Sequence, residues 1–199
     1  MLRRLIAVLP FAIALVPSLA PAAGPDPLPP FACTGPFAAD TDEAALIRTF
    51  GRANVVFRSV PAAEGEMVDG MALWPGDPKR RIDVFFADRP GRKVDMIRIN
   101  EDASLWRIAG LGIGSPLARV VSVNGRAISV SGFGWDYGGS VDPKGGKLER
   151  LSGGCRLGLT MDVGSDAPDG VYGDGVTLGS DSALLKRAKP RVTTMFISW

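Results

Sequence analysis

The chain has 199 residues, 46% of them hydrophobic, with 23 Lys plus Arg against 21 Asp plus Glu and no histidine. Charge so nearly balanced, with no long basic run, excludes the electrostatic footprint of a nucleic-acid binder. The missing imidazole removes the usual general base near neutral pH and the commonest metal ligand, so no Ser-His-Asp, Cys-His or zinc-helix arrangement can be built.

In chain order, residues 1–23 read as a secretory signal peptide. Arg3 and Arg4 supply the charged start, residues 5–16 are apolar, Pro17 breaks the run, and small residues around Ala20, Ala22 and Ala23 follow. The run is too short to cross a hydrocarbon core of about 30 Å as a helix. Its removal leaves a formally neutral chain, because Arg3 and Arg4 go with it. No later segment approaches eighteen apolar residues, so no transmembrane segment is expected in the mature form, and the expected location is periplasmic or secreted.

Residues 24–39 form a proline-rich leader, expected to run extended and to be pinned only by a bond through Cys33. An acidic start at Asp40-Thr41-Asp42-Glu43 and a stop at Gly51 predict a short helix between them. Strands are predicted over 55–60, 68–74, 82–86 and 94–99, several of them alternating apolar with polar residues as a half-buried sheet requires. Lys79-Arg80-Arg81 follows Pro75-Gly76-Asp77-Pro78 and reads as a solvated turn.

Gly110-Leu111-Gly112-Ile113-Gly114 lacks the last glycine of a dinucleotide loop, where Ser115 stands, and reads as a lead-in to a second helix over 115–123. Pro116 suits an early helical position and Asn124-Gly125 the end. Strands are predicted over 127–135, more weakly over 147–151, and over 155–163, then a helix over 182–189 and a strand over 191–199. Setting Gly125 over Gly51 places Arg126-Ala127 over Arg52-Ala53, with a strand next in both. The expected fold is therefore α+β: two weakly repeated helix-plus-antiparallel-strand units, 40–104 and 105–199, sharing one sheet with the helices on one face. Neither unit is large enough to hold a core of its own.

Cys33 and Cys155 are the only cysteines, and an even count in an exported chain predicts that they are bonded. Asp162, Asp166, Asp169 and Asp174 fit neither calcium-loop spacing and read as a surface loop; no metal and no cofactor is expected. Ser182 and Lys186 are one residue too far apart for a Ser-x-x-Lys nucleophile. The most distinctive string runs from Gly132 to Gly139 and contains Trp135, Asp136 and Tyr137. Two readings stand: rings covering close-packed glycine backbones, or an exposed aromatic-acidic patch that docks a partner.

The succession of short helix, glycine and antiparallel strands, carried by residues 46–56 and 113–130, resembles the helix-plus-meander architecture shared by β-lactamase inhibitor protein and the small lipoprotein of the outer-membrane assembly machine. Trp135-Asp136-Tyr137-Gly138-Gly139 also resembles a string in exported bacterial proteins of similar length that have no established activity. The first resemblance implies a non-enzymatic protein-binding module, an inhibitor or an envelope-assembly accessory. This chain has neither the lipid signal nor a recognisable inhibitory loop, so no partner transfers with it. The expected partner is a protein or cell-envelope component, with oligomeric state left open. The alternative is a carboxylate-dependent hydrolase of envelope glycans, which needs only two carboxyl groups across a cleft in unequal surroundings.

Overall fold

The structure, a computed structural model, describes residues 28–87, 93–100 and 102–199. The expected presequence, residues 1–23, and the start of the leader lie outside the described residues. Helix α1, Glu43–Phe50, begins where Asp42 accepts the Ala45 N–H at 2.7 Å. Four strands follow: β1 Val55–Pro61, β2 Met67–Leu73, β3 Ile82–Phe86 and β4 Val94–Ile99. Then come α2 Leu117–Asn124, β5 Ser129–Ser131, β6 Val141–Asp142, β7 Arg156–Asp162, β8 Thr177–Gly179, α3 Ala183–Ala188 and β9 Arg191–Ser198.

These strands make a six-stranded antiparallel sheet in the order β1-β2-β3-β4-β9-β7 and a separate three-stranded sheet, β6-β5-β8. Register aligns Phe57, Met71, Val84, Ile97, Ile197 and Leu157 across the large sheet, so these side chains share one face. All but Phe57, which is exposed at the edge, belong to the core, together with Leu46 of α1, Leu117 and Val120 of α2, and Leu185 and Ala188 of α3. Each such side chain contributes about 1.5–3 kcal/mol when fully removed from water.

The fold is α+β and mostly antiparallel, but the second half does not repeat the meander of the first. The strand predicted over 127–135 shortens to β5, and residues 147–151 form turns. Both changes have a local cause: Gly132 and Gly134 interrupt the first segment, and Pro143, Gly145 and Gly146, just before the second, fold it back on Asn124, which accepts the Leu148 N–H. What the halves share is a short helix stopped by a positive-φ glycine whose N–H reaches back four residues, Gly51 to Ile47 and Gly125 to Val121, with a strand after it.

Cys33 and Cys155 are bonded, with Cα atoms 5.7 Å apart. The bond is not the leader's only attachment, contrary to expectation. Phe31 and Phe37 are both buried, their rings stacked at 4.4 Å, and Phe37 extends to Phe50 at 5.6 Å and Trp106 at 5.9 Å. Trp74 joins Phe50 and Trp106 at 4.9 and 5.6 Å. Aromatic area therefore holds down a segment whose prolines suggest only a loose lead-in.

Nor is the turn at 79–81 merely solvated. The Trp106 Nε1–H donates to the Arg80 carbonyl at 2.8 Å, Arg80 pairs with Asp77 at 3.4 Å, and Arg81 pairs with Asp83 at 3.0 Å. Asp83 lies on the sheet face opposite the core yet has no exposed surface. Its Oδ2 accepts from Arg98 at 3.2 Å and Asn100 at 3.0 Å, and Arg98 also donates to the Pro61 carbonyl, tying the end of β1 onto this face.

Candidate functional site: an aromatic-acidic surface

Residues 132–140 leave β5 as a loop fixed on both sides. The Phe133 N–H donates to Val171 at 2.9 Å, the Gly173 N–H to Phe133 at 3.0 Å, and the Met161 N–H to Gly139 at 2.9 Å. Phe133 is buried and anchors the loop in the core. Gly139 has φ 72 and lies so close to the Met161 carbonyl that a side chain has no room.

On this support the string Trp135-Asp136-Tyr137 faces outward. Trp135 is half-buried, its indole N–H donating to the Gly132 carbonyl at 2.8 Å. Tyr137 is 48% exposed and meets the Trp135 ring edge-on, centroids 5.5 Å apart. Asp136 is exposed between them. The two readings of the string therefore divide by residue: Phe133 and the glycines are packing, while the rings beyond them remain open.

Two neighbours come from distant sequence. Tyr172, 38% exposed, covers Gly134 with its ring. Glu64, at the tip of the β1–β2 hairpin with φ 56, accepts the Tyr137 hydroxyl at 2.7 Å. That hydrogen bond, and then the Glu64 charge, push the Tyr137 phenol above its ordinary value of 10.0. Nothing local in the sequence connects Glu64 or Tyr172 to the string; the sheet and the 171–176 segment bring them there.

Beside the rings lies a depression of about 310 Å³ lined by Trp135, Asp136, Thr160, Asp162 and Thr193 among others, none of them cationic. Asp162 Oδ1 accepts the Val163 N–H at 2.8 Å. Glu64 at the Tyr137 hydroxyl, with Asp136 and Asp162 at the depression, thus brings three carboxylates beside one exposed ring, one half-buried ring and threonine hydroxyls. Such a surface accepts hydrogen bonds and cations and offers flat apolar area.

Among the described residues no group of three or more His, Cys, Asp or Glu converges as a metal site, and no helix is long and apolar enough to cross a membrane. Comparison of the chain with family models, with curated proteins and with solved structures returns no match.

Proposed function

We propose that the chain is a non-enzymatic binding module of the periplasm or extracellular space, an inhibitor or an envelope-assembly accessory. Trp135, Asp136 and Tyr137 form its docking surface, and Tyr172 extends it. The observation that carries this reading is an exposed ring, Tyr137, set against a half-buried one, Trp135, on a loop fixed by backbone hydrogen bonds. Rigid aromatic anchors with polar ends concentrate binding energy at protein interfaces. The disulfide is compatible with an oxidising compartment. The partner, a protein or envelope component, presents amide or cationic donors to the carboxylates.

The test is capture from envelope extract with the mature protein and two variants. Tyr137→Ala removes an exposed ring, so it is expected to cost at least about 1 kcal/mol of partner affinity with the melting midpoint nearly unchanged. Trp135→Ala is expected to weaken binding as well, with a modest loss of stability from its buried part. Equal capture by all three proteins refutes the docking surface.

A second reading rests on Asp136 and Asp162 sharing one depression, the minimum a carboxylate-dependent hydrolase of envelope glycans needs. Both are exposed, whereas a general acid at neutral pH needs an apolar setting, and that favours binding over turnover. Turnover of a wall glycan that disappears in Asp162→Asn would reverse the preference.

A further inference from the structure

We infer that the groove between α2 and α3 is a second, separate binding site, which takes a peptide segment with an apolar stretch and carboxylates at one end. One part of the groove, about 500 Å³, has Leu117, Ala118, Val121 and Ala127 along it. A second part, about 270 Å³, shares Leu117, Ala118 and Lys186 with the first and is edged by Lys189 and Arg191. The floor is therefore continuous and apolar, and positive charge runs from Lys186, shared by both parts, to Lys189 and Arg191 at one end.

Charge complementarity identifies the occupant. Lys186, Lys189 and Arg191 are all exposed and make no ion pair with any described residue. Arg191 spends one N–H on the Gly114 carbonyl at 3.0 Å, which fixes its guanidinium at the groove end with other donors open. Asp181 stands at the far end and repels a carboxylate there, so the charges set a direction along the groove. An acyl chain needs an enclosed pocket that buries most of its surface. A peptide suits an open groove, since its backbone stays hydrated on the outer side while apolar side chains meet the floor.

The site is preformed. The Leu117 N–H donates to Pro190 at 3.2 Å, the Gly114 N–H to Val192 at 2.8 Å and the Val192 N–H to Ser115 at 2.9 Å, so the start of α2 is tied to the α3–β9 junction. Lys189 itself sits at φ 52 and ψ 48, a left-handed position that favours glycine or asparagine, and directly before Pro190, which disfavours it further. Its side chain lines the rim.

The probe is a synthetic twelve-residue peptide with six alternating leucines and alanines followed by six glutamates, titrated into the mature protein and followed by amide NMR shifts. Expected are shifts confined to 114–127 and 180–191, and a Kd that weakens about tenfold between low and physiological salt as screening sets in. Lys186→Glu with Lys189→Glu is expected to weaken binding at least tenfold, and Tyr137→Ala to leave it unchanged. A peptide with lysines for the glutamates, or serines for the apolar half, is expected to bind at least tenfold more weakly. The inference is overturned by no shift in the groove, by equal affinity of the charge-reversed variant, or by binding to anionic phospholipid vesicles with none to the peptide.

Discussion

Asp83 is the residue whose surroundings depart furthest from its sequence context. In Ile82-Asp83-Val84 it occupies the polar position of an alternating strand, yet Arg81, Arg98 and Asn100 enclose its carboxylate completely. Removing the acid leaves two guanidinium groups facing one another, so Asp83→Ala is expected to cost about 3–5 kcal/mol, read as a lower urea midpoint at unchanged slope. A loss below 1 kcal/mol would mean that water replaces the carboxylate freely. Tyr137 offers a pH-dependent counterpart. Its folded-state value lies above the unfolded one, so the Tyr137–Glu64 contact contributes fully below the ordinary phenol range and is lost as pH rises through the raised value. In a Tyr172→Phe background, phenolate absorbance should titrate above 10.0, and Glu64→Gln should bring that midpoint down; identical midpoints would show the hydrogen bond absent in solution.

The leader is held by two kinds of attachment that mutation can separate. Closing a loop between residues 122 positions apart, the disulfide constrains the unfolded chain, and its removal is expected to cost about 2–5 kcal/mol. The aromatic contacts act in the folded state. In the Cys33→Ala, Cys155→Ala variant the amides of Phe37, Ala38 and Thr41, bonded to Thr34, Gly35 and Ala38, should therefore still exchange slowly. Phe37→Ala with the bond intact should cost about 3–5 kcal/mol and speed exchange at the same amides. The opposite pattern would make the bond the main attachment after all. Nothing in the alternation of residues 24–39 reveals this packing, because the partners of Phe31 and Phe37 lie at 50 and 106. The one local sign was two phenylalanines among the prolines.

How far the fold can be read from sequence follows from how local its causes are. Strands β3 and β4 fall on their predicted residues and β1 and β2 within one, because each alternates over five or more positions beside short connections. Of the small sheet only β5 is legible, within the longer strand predicted over 127–135; β6 and β8 have two or three residues each, too few to show a period. At the candidate site Trp135, Asp136 and Tyr137 stood out by composition, but Glu64 and Tyr172 arrive only through tertiary contacts. Strand β9 is legible as a strand but not as the link between β4 on one side and the edge strand β7 on the other. Deleting residues 191–199 removes the only large-sheet partner of β7 and one of the two partners of β4, so the shortened chain is expected to show no cooperative urea transition. A cooperative transition of ordinary slope would show that β1–β4 stand alone.

That position of β9 also governs timing. A chain that emerges from the ribosome, or passes through a membrane pore, amino end first presents β4 and β7 long before the strand that joins them. Until residues 191–198 are out, β7 has no partner in the large sheet, and Cys33 and Cys155 have no framework to bring them together. Closure of this edge is thus deferred until β9 has emerged, by topology alone. The same delay leaves the unpaired β4 and β7 edges dependent on protection from aggregation until β9 arrives.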